Sequence, residues 1–278
     1  MIQLFHEVSR LCSKVTTQKY STSFCSAIRL LHKDLQAPIY NIYGFVRFAD
    51  EIVDTFHDYD KAVLLQEFEQ NTWQAIERKI SLNPILHSFQ QTVHDFGISH
   101  SLVSAFFKSM KYDLDKRAYD SAEYREYIYG SAEVVGLMCL SVFCERDMDQ
   151  YERLKPFAQS LGAAFQKVNF LRDVKADFEV MDRTYFPDVD FGNFTHLMKS
   201  SIEDDILKDF KHAFEGISQL PFKAKFGVYV AYKYYYSLFN KIRRTAPAQI
   251  LHNRIRIPNY LKAMIVMRAG VKHQLKLV

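Results

Sequence analysis

The sequence predicts an all-α fold, and three observations on this 278-residue chain lead there. Apolar residues recur at spacings near three and four, as in Phe68, Trp73, Ile76 and Ile80, or Leu102, Val103, Phe106, Phe107 and Met110, which is the period of a helix with one buried face. Strand-like alternation is scarce. The prolines, Pro38, Pro84, Pro156, Pro187, Pro221, Pro247 and Pro258, fall near the ends of the periodic stretches, where a residue lacking an N–H is tolerated.

These signals place helices near 18–33, 38–57, 60–80, 83–96, 99–116, 120–146, 149–180, 201–218, 221–245 and 258–269. Pro38 opens the second, Pro84 the fourth, Pro221 the ninth and Pro258 the tenth. The Phe68 stripe defines the third and the Leu102 stripe the fifth. The apolar run Val134–Cys144 marks the sixth, and Phe165, Val168, Phe170 and Leu171 flank the polar face of the seventh. The stretch 187–195, with Asp188, Asp190, Gly192 and Asn193, is irregular but too short to separate two domains. One domain over 1–278 is the expectation, with no internal repeat and no low-complexity segment.

Composition removes several classes. Hydrophobic residues at 48% suffice for a sizeable core, and a formal charge of +4 is too mild to argue for nucleic acid. Cys12, Cys25, Cys139 and Cys144 lack CxxC spacing, so they read as buried reduced thiols, which favours the cytoplasm. Glu7 and Arg10 near the start argue against a secretory signal. The Val134–Cys144 run, interrupted by Gly136 and Ser141, falls short of the roughly 20 residues that span a bilayer, although peripheral contact with the inner face of a membrane stays open. No obligate protein partner is evident. GxGxxG, GxxxxGK[ST], GxSxG and HExxH are all missing, so Rossmann, P-loop, hydrolase-elbow and zincin chemistries lack their residues.

What remains is a pair of acidic motifs, Asp50-Glu51-Ile52-Val53-Asp54 and Asp173-Val174-Lys175-Ala176-Asp177. Residues four apart on a helix stand one above the other, so each motif aims two carboxylates at one place. Such pairs repel unless a cation offsets them, and oxygen ligands that leave water positions open suit Mg²⁺ bridging to phosphate. Tyr43, Arg47, Asp50 and Asp54 share one stripe, where an arginine can hold a phosphate oxygen beside the metal and Tyr43 can donate a hydrogen bond. The competing reading is a solvated helix with Arg47 paired to Asp50 or Asp54. Gln166, Asn169, Asp173 and Asp177 form the second stripe, costly to bury without a ligand or a network. A structural polar seam would explain either face alone; two in one chain favour function.

The segment Arg47-Phe48-Ala49-Asp50-Glu51-Ile52-Val53-Asp54, together with Gln166-Lys167-Val168-Asn169-Phe170-Leu171-Arg172-Asp173-Val174-Lys175-Ala176-Asp177, resembles the two signatures of the squalene and phytoene synthase family of head-to-head prenyltransferases. Further pieces follow in the same order. Tyr20-Ser21-Thr22-Ser23-Phe24 is similar to the S-x-S-F segment and Met110-Lys111-Tyr112-Asp113-Leu114 to M-x-x-D-L. Tyr127-Ile128-Tyr129-Gly130-Ser131-Ala132-Glu133-Val134-Val135-Gly136 is similar to Y-C-Y-x-x-A-G-x-V-G, and Arg183-Thr184-Tyr185-Phe186-Pro187 to R-x-Y-x-P. Ile128 replaces the usual cysteine and Glu133 the usual glycine, so Glu133 is expected to narrow or polarise the cavity, or to add an acid near the metal ions.

The resemblance implies an isoprenoid-synthase-type helical bundle around a central cavity that takes two isoprenyl diphosphates. Asp50, Asp54, Asn169, Asp173 and Asp177 would hold Mg²⁺, with Mn²⁺ as a substitute. Ser21, Ser23, Tyr43, Arg47, Gln166, Asn169, Arg172 and Arg183 would contact substrate, and Tyr129, Tyr185 or Phe24 would face the cations, worth about 0.5–2 kcal/mol each when desolvated. The expected reaction joins two geranylgeranyl diphosphates to phytoene without NADPH, since no nicotinamide fingerprint is visible. The alternatives are a squalene or dehydrosqualene synthase using farnesyl diphosphate, and a non-catalytic scaffold protein of the same fold. The basic tract Lys241, Arg243, Arg244, Arg254 and Arg256 is expected to reach a phosphate, an anionic membrane or solvent.

Overall fold

The computed structural model describes residues 1–115, 118–179, 185–187, 189 and 191–274, with the side chains at 176–179, 252 and 271–274 outside that description. No β-strand occurs among the described residues. The chain forms α1 (Ile2–Tyr20), α2 (Thr22–Ile28), α3 (Lys33–Asp54), α4 (Lys61–Arg78), α5 (Pro84–Phe96), α6 (His100–Asp115) and α7 (Ser121–Ile128). A π turn (Tyr129–Glu133) leads into α8 (Val134–Cys144). There follow α9 (Met148–Glu179), α10 (His196–Ile217), α11 (Phe222–Arg243), α12 (Pro247–His252) and α13 (Asn259–Gln274).

Local chemistry explains most boundaries. Asp60, Asn83 and Thr195 accept from the first free N–H groups of α4, α5 and α10, and Asp120 with Glu123 closes a reciprocal cap on α7. Gly97, at φ +64°, ends α5 in the left-handed region that a side chain would disfavour. Pro38 and Pro156 lie inside α3 and α9 rather than at helix ends.

The first expected helix, 18–33, is corrected. Ser21 is extended (φ −142°, ψ 106°) and divides α1 from α2, and α1 begins at Ile2. Its buried stripe is Ser9, Ser13 and Thr17, so the apolar period that reveals other helices is absent from the face that packs. Small polar side chains suit that interface because it is tight: a Cβ on Gly44 of α3 would stand 2.9 Å from Ser13 Oγ. Ser13 and Ser88 hydroxyls meet at 2.7 Å, and the His6 and His87 rings bond at 2.7 Å.

The expected helix 120–146 is likewise interrupted by the π turn. Gly130 permits it, since a Cβ there would lie 2.5 Å from the Ala105 carbonyl oxygen. The segment Ser121–Cys144 is long and apolar enough to cross a membrane by composition, at a mean hydropathy of 1.5. Here it forms a wall of the bundle, packed on α3, α6 and α9. The helix over 149–180 is realised as α9, which packs on α8 and α10 and carries the second acidic motif.

Candidate active site

Phe45, on the inner side of α3, stacks on Phe89 at 3.8 Å and is fully buried, which fixes how that helix turns its other side. That side faces a cavity of about 870 Å³, lined by Tyr43, Arg47, Asp50 and Asp54. Burial, followed by the Asp54 charge, pushes the Asp50 carboxyl up to about 7, against the pull of Arg47. Arg47 pairs with neither aspartate. Its guanidinium donates to Glu51 and lies 4.4 Å from the centre of the Tyr20 ring, while its Nε is buried with no partner. A buried charged donor without an acceptor is costly, and it suits an anion. Burial pushes Tyr43 up to about 12, against the pull of the Arg47 charge, so its hydroxyl stays a donor.

The α9 face borders the same cavity through Gln166, Asn169, Arg172 and Asp173. Asn169 Oδ1 accepts from the Tyr235 hydroxyl at 3.3 Å. Arg172 Nε reaches both Asp173 oxygens at 3.1 Å, and Arg254 Nε lies 2.8 Å from Asp173 Oδ1. Lys167, inside the same motif, turns away to Asp205 and Asp209 of α10 at 2.5 and 2.8 Å and holds the two helices together. The Asp177 side chain and all of Arg183 lie outside the described residues.

The chamber is deep and apolar. Asp173 and Leu154 both line it, and 19 residues of α9 separate them, roughly 28 Å at about 1.5 Å per residue. Its far wall includes Phe143, Leu154, Phe157 and Leu220. Gly216 lets the Phe157 ring lie back, since a Cβ there would stand 2.3 Å from Phe157 Cβ. Nearer the mouth, Phe24 packs on Tyr43 and Tyr235 at 5.9 and 5.6 Å, and Tyr185 stacks on Phe170 at 4.0 Å.

Ser21 lines the cavity and caps α2, its Oγ accepting from Phe24 N at 3.1 Å. Ser23 does not line it. Tyr129 is also corrected: it is 37% exposed and off the cavity wall. A regular helix presenting Ala132 and Gly136 inward would also present Tyr129, three and seven residues back, but the wider π turn moves Tyr127 into that position. Tyr127 donates to Asp113 Oδ1 and Oδ2, each at 2.9 Å, and both residues line the cavity. The Y-x-Y and M-x-x-D-L segments were their signal. Glu133 neither narrows nor polarises the chamber; its carboxylate accepts from Gln159 at 2.8 Å outside the cavity lining. The basic tract divides, with Arg254 at Asp173 and Lys241 donating to the Arg256 carbonyl at 2.7 Å.

Among the described residues no three His, Cys, Asp or Glu side chains cluster closely enough to hold a metal ion by themselves, so the carboxylates come as pairs that a bound anion would complete. Asp50 and Asp54 are hard oxygen ligands whose mutual repulsion a cation would relieve, and the unpartnered Arg47 Nε stands ready for the anion such a cation accompanies.

The fold and site together define a helical bundle with two polar faces at the mouth of a deep apolar chamber. Residues 17–197 match the family model for squalene/phytoene synthase, and the chain belongs to that family. Presqualene diphosphate synthase from Rhodopseudomonas palustris is 28% identical over 168 residues, 60% of this chain and 58% of that protein, so the match spans less than two thirds of its length. Phytoene synthase from Cereibacter sphaeroides is 25% identical over 249 residues, covering 81% of this chain and 69% of that one. In fold, the chain is similar to a crystallised dehydrosqualene synthase with a TM-score of 0.84 at 21% identity, over 97% of this chain and 98% of the other. Squalene synthase HpnC from Alicyclobacillus acidocaldarius gives 0.72 at 19% identity, over 88% and 95%.

Proposed function

We propose that this chain, acting in the cytoplasm as one domain, joins two geranylgeranyl diphosphates head to head to give phytoene through a cyclopropylcarbinyl diphosphate. The observation that carries the reading is the convergence of the α3 and α9 polar faces on the mouth of one apolar chamber. Asp50, Asp54, Asn169 and Asp173, with Asp177 as a further ligand, would hold Mg²⁺, which would supply charge neutralisation for the departing diphosphate. Arg47 Nε, Arg172 and Arg254 hold diphosphate oxygens, and Tyr43 donates a hydrogen bond to them.

Loss of the first diphosphate leaves an allylic cation, and the acceptor's double bond attacks it with loss of a proton to close the cyclopropane. A second ionisation and rearrangement end in proton loss, which yields a triene and needs no reductant. The aromatic faces of Phe24 and Tyr185 favour cationic carbon, and the apolar walls keep water from quenching it.

The chamber is deep enough to admit the longer substrate as well as the shorter. At about 1.2 Å per extended single bond, a geranylgeranyl main chain reaches about 18 Å and a farnesyl chain about 13 Å, against roughly 28 Å of wall. The likeness to 4,4'-diapophytoene synthase from Staphylococcus haemolyticus, 25% identical over 197 residues, favours farnesyl diphosphate as the second reading. Incubation with Mg²⁺ and each diphosphate, with and without NADPH, followed by mass spectrometry of the hydrocarbon, tests both. Phytoene without NADPH is expected; a C30 hydrocarbon selects the second reading, and no hydrocarbon from either substrate overturns catalysis.

A further inference from the structure

Two helices carry apolar stripes that the fold leaves in solvent. On α1, Leu4, Val8, Leu11 and Val15 are 47–65% exposed, on the side opposite the Ser9, Ser13 and Thr17 seam. On α13, Tyr260, Met264 and Met267, spaced four and three, are 36–66% exposed. Single exposed apolar residues need no explanation, whereas periodic stripes do.

The α1 stripe runs to the cavity mouth, and α13 packs beside its end. Helix α1 ends at Tyr20, and Tyr20 and Ser21 line the chamber. The next residue, Thr22, accepts a hydrogen bond from Lys262 of α13 at 2.8 Å. Across the mouth, the loop after Asp54 exposes Phe56 and Tyr59, which meet edge to face at 6.1 Å. Basic side chains flank the apolar ones: Lys14 and Lys19 on α1, set against Glu7, and Arg268 on α13, which contains no acidic residue.

We propose that α1 and α13 dock this protein on an anionic lipid bilayer, with the chamber mouth at the lipid surface. Apolar stripes beside basic residues are the pattern of helices that lie in the headgroup region, and rim aromatics suit the same depth. A second copy fits less well, because pairing either helix with itself sets positive against positive, and one helix seam cannot cover two stripes and an aromatic rim. Docked this way, an apolar product reaches lipid without crossing water. The binding itself does not depend on the proposed reaction and is read without substrate.

The test is sedimentation of the full chain with vesicles of phosphatidylcholine alone or mixed with phosphatidylglycerol, beside light scattering of the protein in solution. Wild type is expected to sediment with the anionic vesicles, less with the neutral ones, and less at high salt. Leu11→Glu and Met267→Glu, each at an exposed position, should lower partitioning about tenfold. Lys14→Glu, which keeps the apolar stripe, should lower it about tenfold on anionic vesicles only. Wild type remaining in the supernatant with anionic vesicles, variants that bind like wild type while keeping its circular dichroism, or a wild-type dimer that Leu11→Glu dissolves would each overturn the proposal.

Discussion

The two acidic faces of the chamber look alike as sequence and differ as structure. On α3, Asp50 is desolvated beside Asp54, and the arginine one turn before it is directed to Glu51 instead. On α9, Asp173 is held between Arg172 and Arg254. One face carries a carboxylate stripped of water and the other a carboxylate already ion-paired. A cation therefore has most to relieve at α3, whereas at α9 it must compete with two guanidinium groups that are then released toward an incoming anion.

The strongest way to break this contrast is to neutralise one carboxylate on each face. Asp50→Asn is expected to lower turnover by about a thousandfold, since about 4 kcal/mol of leaving-group stabilisation rests on the metal site it helps to form. The same change should stabilise the metal-free fold. Asp50 has a folded value near 7 against an ordinary 3.8, so the cost of its charge is absent at low pH and grows as pH rises through that window. Melting at pH 8 without Mg²⁺ should rise by about 4 °C, for a gain on the order of 2 kcal/mol, and the gain should vanish at pH 4. Unchanged melting at pH 8 would refute a desolvation cost at Asp50.

Asp173→Asn should also depress turnover, by about a hundredfold, but its melting temperature should stay level or fall by about 1 °C, because partly exposed ion pairs contribute about 0–1 kcal/mol. Opposite signs of the two melting shifts, measured side by side, sharpen the comparison; equal signs break it. A smaller effect is expected from the proton inventory. Near pH 6.5 Asp50 is largely protonated, so Mg²⁺ binding should release part of a proton, and affinity should rise with pH up to a little above 7. Titration calorimetry in buffers of different ionisation heat measures it, and Asp50→Asn should lose the release. Smallest is Arg254→Ala, expected to raise KM about tenfold with kcat within a few-fold, as for one charged hydrogen bond to diphosphate.

Much of this site could be read from the chain because a helix repeats faithfully: the stripes Tyr43, Arg47, Asp50 and Gln166, Asn169, Asp173 needed only the 3.6-residue period to come together. Three features escaped for separate physical reasons. The α1 helix hides a serine and threonine stripe and shows its leucines and valines to solvent, which inverts the pattern used to find helices. Tyr129 was displaced from the wall by a local change of helical period that the Gly130 contact with α6 permits. Arg254 reaches Asp173 from 81 positions away, a meeting set by the packing of α12 on α9 and invisible to any local spacing.

The Tyr129–Glu133 turn has one more consequence, for how length changes are tolerated. Five residues of π turn cover about the rotation and rise of four in an α-helix, so excising a single residue there would restore ordinary winding and leave α8 downstream nearly in register. Val135 and Cys139 would stay on the wall, whereas the same deletion within α8 ahead of Cys139 would swing Cys139 off it by about 100°. Among relatives, a gap in an alignment at this bend would therefore spare the lining that a gap one turn further on would remodel.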